Sequence, residues 1–128
     1  MDHTRTFDWK ANAGLYVHVP FCRSKCAYCD FYSVTDLSRV HEWFGALLAE
    51  MTLHGGFAAA FDTVYVGGGT PSCLPAGLLP DLPGHIRSVL PVSADAEITV
   101  EVNPGDVDTG TLSRLREAGF NRVSIGVQ

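Results

Sequence analysis

Basic residues are scarce in this chain. Nine Lys and Arg stand against fourteen Asp and Glu, a formal net charge of −5 over 128 residues. No cluster of Lys or Arg occurs, so the electrostatic footprint of a nucleic-acid module is missing. Long apolar runs are missing too: the longest, residues 57–61, falls far short of the ~20 residues that span a bilayer. Residues 1–14 are polar and contain no apolar h-region, which argues against a secretory signal there and predicts a cytoplasmic location. The chain has no low-complexity stretch, no Gly-x-Gly-x-x-Gly fingerprint and no phosphate loop ending in Gly-Lys-Ser/Thr. Cysteine is sparse at four residues, yet three of the four lie within eight positions.

What is present reads as globular: 46% of the residues are hydrophobic and 18% charged. The length suits one domain with a real core, since a chain of about 150 residues buries roughly 68–70% of its unfolded surface. Thirteen glycines and seven prolines fall mostly between periodic segments, which predicts tight connections.

The clustered cysteines are Cys22, Cys26 and Cys29, a C-x3-C-x2-C spacing. They supply three thiolates where a closed structural metal site takes four ligands. A disulfide framework does not suit a cytosolic chain. Two metal sites remain. One is zinc, with His18, Asp30 or distant Cys73 as fourth ligand. The other is a cubic 4Fe–4S cluster with one iron left open, as an open position marks a catalytic metal.

Periodicity orders the rest. Residues 15–19 form a β-rich run stopped by Pro20. Val40, Phe44, Leu47, Leu48 and Met51 trace one helical face, with Asp36 or Ser38 as N-cap and residues 54–56 as the stop. Residues 62–66 are a second strand, running into Gly67-Gly68-Gly69-Thr70-Pro71-Ser72. Pro80 and Pro83 predict an irregular turn over 75–79 and a helix only from 82 to 90, capped by Asp81. Residues 97–102 form a third strand, 109–118 a helix with Leu112 and Leu115 inward and Gly119 as stop, and 122–127 a fourth strand. This alternation predicts an α/β fold with a parallel sheet and right-handed crossovers. Ligand sites in such sheets collect at the carboxyl ends of the strands. The cysteine loop, the triple glycine, the segment 101–104 and Gln128 all fall at such ends.

The cysteine run and its context resemble the signature of the radical S-adenosylmethionine (SAM) superfamily. The resemblance sharpens with Tyr-Val-Gly-Gly-Gly-Thr-Pro-Ser at 65–72, Glu-Val-Asn-Pro-Gly at 101–105 and Gly-Phe-Asn-Arg-Val-Ser-Ile-Gly-Val-Gln at 119–128. In this order they look like the oxygen-independent coproporphyrinogen III oxidase family and its relatives, over residues 14–128. The resemblance implies a parallel-stranded partial (β/α) barrel of the radical SAM type, truncated after strand four. Residues 1–13 would be a polar extension and 14–128 the N-terminal part of the core domain.

It also implies roles. Cys22, Cys26 and Cys29 would bind the 4Fe–4S cluster, whose electron splits SAM to a 5′-deoxyadenosyl radical. Tyr16, Gly68, Gly69, Thr70, Glu101 and Gln128 would contact SAM. Tyr28 would shield the cluster, stack near adenine or pack locally. Cys73 reads as a small buried hydrophobe, and His18 as a structural hydrogen-bonding residue. Two branches exist. One decarboxylates coproporphyrinogen III to protoporphyrinogen IX. The other is a heme chaperone that delivers heme to target proteins. The oxidase branch carries a further cysteine two residues after the third cluster ligand, where this chain has Phe31, so the chaperone branch is favoured. The implied partners are heme or coproporphyrinogen III, an electron donor and a heme-accepting protein. A non-catalytic zinc-binding domain is the remote alternative.

Overall fold

The computed structural model describes residues 13–23 and 33–126. The readings for Cys26, Tyr28, Cys29, Asp30, Phe31, Gln128 and nearly all of the N-terminal extension therefore lie outside the described residues. Four strands, β1 (Ala13–Val19), β2 (Phe61–Gly68), β3 (Val92–Val102) and β4 (Arg122–Ile125), form one sheet in the order of the chain. Every neighbouring pair is parallel. Three helices join them: α1 (Val40–Leu53), α2 (Leu78–Val89) and α3 (Thr109–Ala118). The parallel α/β architecture expected from the alternation is the one observed. No helix among the described residues is long and apolar enough to cross a membrane.

The register explains how one sheet carries both a core and a site. Leu15, Val17, Val64, Val66, Ile98, Val100 and Val123 align on one face, and Tyr16, Tyr65, Thr99 and Arg122 on the other. Side chains alternate across a strand, so the two sets cannot mix. All of the apolar set except the exposed Val123 packs with Val40, Met51, Leu79, Leu82, Ile86 and Leu115 in one core. On α1, Phe44 meets His85 of α2 edge to face at 5.6 Å, and Trp43 meets Phe21 at 5.7 Å.

Asp36 caps the short 3₁₀ turn Leu37–Arg39 that leads into α1, accepting from the Ser38 amide at 3.1 Å. Asp108 caps α3, accepting from the Thr111 amide at 2.7 Å, and Gly119 ends it with φ 120°. Asn121 then aligns β4. Its side chain accepts from the Ile98 amide at 2.7 Å and donates to the Ala96 carbonyl at 2.8 Å, extending the ladder where β4 has not yet begun.

Three expectations are corrected. The second helix is Leu78–Val89 rather than 82–90, its N-cap is Gly77 rather than Asp81, and both prolines lie inside it. Pro80 sits in the first turn, whose amides have no partner four residues back in any helix. Pro83 does forgo one such bond, a loss of ~3 kcal/mol. However, Leu79, Leu82, Pro83 and Ile86 are all buried on one helical stripe, and burial of each large apolar side chain is worth about 1.5–3 kcal/mol. Leu112 is exposed at 37%, leaving Leu115 as the inward anchor of α3. β3 also begins earlier than expected, at Val92, through an irregularity opposite the segment between Phe61 and Thr63.

Candidate functional site

The carboxyl ends of β1, β2 and β3 come together, and backbone hydrogen bonds bind them. As β1 leaves the sheet, the Gly69 amide donates to the Val19 carbonyl and the Thr70 amide to the Phe21 carbonyl, both at 2.7 Å. The segment 22–33 is closed at its base. Phe21 and Val34 form an isolated bridge, the Cys22 amide donates to the Val34 carbonyl at 3.0 Å, and the Val34 amide to the Pro20 carbonyl at 2.7 Å. Cys22 is thus a fixed, buried residue at the mouth of that loop. The Thr70 hydroxyl donates to its sulfur at 3.5 Å.

The triple glycine exists because three neighbours occupy the space of three side chains. A β-carbon at Gly67 would collide with the Glu101 carboxylate. At Gly68, where φ is 119°, it would lie 2.7 Å from the Val19 carbonyl oxygen. At Gly69 it would lie 2.9 Å from the Cys22 sulfur. Such crowding admits only glycine and leaves backbone amides and carbonyls, rather than side chains, to face a ligand.

The polar sheet face continues the site. The Tyr16 hydroxyl and His18 Nδ1 are hydrogen-bonded at 3.0 Å, which gives His18 the structural bond anticipated for it. Tyr16 stacks on Tyr65 with ring centroids 6.1 Å apart and an interplanar angle of 23°. Burial, with the Glu101 carboxylate nearby, raises the Tyr16 phenol above its ordinary range. Tyr65 is raised chiefly by burial as well, with Ser124 lowering it and the nearby Glu101 carboxylate raising it further. Tyr16 itself is 55% exposed, so its ring is available to a ligand on this face. Tyr65 was missed in the sequence, although its odd-numbered place in β2 beside Gly67 and Gly69 was the available signal.

Tyr16, Cys22, Gly68, Gly69, Thr70 and Glu101 therefore lie at one end of one sheet, while Cys26, Cys29 and Gln128 are outside the described residues. Among the described residues no group of three or more His, Cys, Asp or Glu side chains is arranged to hold a metal ion. Cys73 is buried, its sulfur donates to the Phe21 carbonyl at 3.4 Å, and burial pushes its thiol up to about 11, in keeping with a small residue packed in the core.

Comparison with known proteins agrees with this geometry. The chain is 41% identical to the heme chaperone HemW of Escherichia coli over 118 residues, 89% of this chain and 31% of that protein. It is 37% identical to the oxygen-independent coproporphyrinogen III oxidase of Paracoccus denitrificans over 123 residues, 92% of this chain and 27% of that one. The solved structure of coproporphyrinogen III oxidase (HemN) from Escherichia coli, described as a radical SAM enzyme, superposes with a TM-score of 0.78 at 32% identity. That match covers 93% of this chain and 28% of HemN. The chain thus spans less than a third of the length of these relatives. The model of the radical SAM superfamily matches residues 16–128, more than half of the sequence, and the chain belongs to that superfamily.

Proposed function

We propose that this chain is the N-terminal part of a heme chaperone whose core binds a 4Fe–4S cluster and SAM. Cys22, Cys26 and Cys29 would hold the cluster. The Gly68–Thr70 backbone, Tyr16, Glu101 and Gln128 would hold SAM. The observation that carries this reading is the seat of Cys22, whose sulfur lies against the side-chain-free Gly69 and accepts a hydrogen bond from Thr70. That places the first cysteine of the motif at the strand end where exposed backbone can meet a ligand.

Bound there, the cluster and SAM would supply one-electron chemistry. The residues of this chain hold and orient them. Gly68–Thr70 would offer backbone carbonyls to the ligand, Glu101 a carboxylate to an ammonium group, and Tyr16 an aromatic face and a hydroxyl. Burial of Cys22 beneath the loop base keeps water from its sulfur.

The chaperone reading is favoured over the oxidase by Phe31, which stands where the oxidase branch has a cysteine. The similarity to HemW supports the same reading, and the similarity to the oxidase supports the alternative less. The test uses the complete protein, reconstituted anaerobically with iron and sulfide. The wild type should hold iron and sulfide, and Cys22→Ala, Cys26→Ala and Cys29→Ala should lose them; zinc alone in the wild type would refute the cluster. The loaded protein should then bind heme at a defined stoichiometry and leave coproporphyrinogen III unchanged in the presence of SAM and a reductant. Multiple turnovers to the decarboxylated product would make it an oxidase instead.

A further inference from the structure

One carboxylate behind the cysteine loop joins three segments that are far apart in sequence. Asp106 ends the 3₁₀ turn Pro104–Asp106 after β3, and its side chain is only 6% exposed. Its Oδ1 lies 3.0 Å from Nη1 of Arg23, the residue that follows Cys22. Its Oδ2 accepts from the Ser72 hydroxyl at 3.0 Å, and that hydroxyl accepts in turn from the Asn103 amide, also at 3.0 Å. The Asn103 carbonyl receives the Asp106 amide at 2.9 Å, so the turn carrying the carboxylate is itself fixed. Both oxygens are therefore committed, one to the loop after β2 and one to the peptide entering the cysteine loop.

We propose that Asp106 is a positioning residue: held by Ser72, it anchors Arg23 and so fixes Cys22 relative to the ends of β2 and β3. The inference rests on the reading of Cys22 as a cluster ligand. A nearly buried carboxylate must have partners, and here those partners set a distance between the cluster loop and the glycine loop. Arg23 is 65% exposed, and an ion pair with an exposed partner adds little to global stability. What it can add is orientation of a ligand from the shell behind it, where substitutions typically cost 10- to 100-fold in metal affinity. Asp106 thus acts on the cluster far more than on the fold.

The test compares the complete, anaerobically reconstituted wild type with Asp106→Asn, Arg23→Ala, Arg23→Lys and the Asp106→Asn/Arg23→Ala double variant. Cluster loss to a strong iron chelator is followed by visible absorbance, and melting by circular dichroism. Asp106→Asn and Arg23→Ala should each lose the cluster roughly tenfold faster than wild type. The double variant should be no faster than Asp106→Asn, Arg23→Lys should restore most of the retention, and melting temperatures should stay together. Equal rates, additive effects, or losses that merely follow a lowered melting temperature overturn the proposal while leaving the ligand reading intact. A wild type without any cluster overturns both. Should Asp106→Asn fail to fold, the contrast between Arg23→Ala and Arg23→Lys, made at an exposed side chain, decides the matter alone.

Discussion

Gly69 and Cys22 touch so closely that a β-carbon on the glycine would stand 2.9 Å from the cysteine sulfur and 2.5 Å from the Phe21 carbonyl oxygen. Backbone on one side and a committed sulfur on the other leave nothing free to yield. Gly69→Ala should therefore push the cysteine loop away from β2 and lower the iron content of the reconstituted protein to below about half of wild type, given the tenfold affinity losses common behind metal ligands. Gly45, on the exposed side of α1, has nothing within 4 Å of its would-be β-carbon. Gly45→Ala should keep full iron and raise stability by roughly 0.5–1 kcal/mol in denaturant titration, since alanine is the better helix residue.

Cys73 should behave as a thiol, not a ligand. Cys73→Ala is expected to leave iron and sulfide content unchanged. Its pKa rises from the ordinary 9.0 to about 11 on folding, mainly by burial. The unfolded chain therefore ionises first, and stability should fall as pH rises from 9 to 11, the unfolded state binding fewer protons there. Melting curves across that range should show the decline, and Cys73→Ala should flatten it. Matching curves for both proteins would contradict this.

Glu101→Ala should weaken SAM binding while the cluster remains. Removing a charge-assisted hydrogen bond costs on the order of 1.5–3 kcal/mol, about tenfold or more in affinity. Gly67→Ala should act in the same direction, because its β-carbon would displace the Glu101 carboxylate. Calorimetry with SAM measures both, and unchanged affinity in Glu101→Ala with intact iron would remove Glu101 from the site.

How much of this was legible in the sequence depends on the range of each interaction. Alternation in β1, β2 and β3 and the stop at Gly119 are local, and the structure agrees with them, whereas Asp36 caps the 3₁₀ turn before α1 and the N-cap of α1 itself is Arg39. The placement of cysteine and glycine loops at strand ends also followed, because parallel strands joined by helices must all point one way. The second helix was misjudged because Pro80 was held incompatible with a regular helix that also contained Pro83. The position of Pro83 on a buried stripe with Leu79, Leu82 and Ile86 is what decided it. Leu112 was misjudged in the opposite sense, since a periodic apolar residue is buried only if another element covers it.

By itself the sequence determined the order of elements, the parallel sheet, the superfamily and which residues belong to the cysteine and glycine loops, all carried by short-range patterns and contiguous motifs. Tertiary structure alone decided what those motifs meet. It set Gly69 against the Cys22 sulfur, Tyr65 beside Glu101, and Asp106 between Arg23 and Ser72. Those pairs are separated by tens of residues, and no propensity or spacing encodes them. They arise because hydrogen-bond register brings strand ends level, and because packing then leaves room for one side chain and not another.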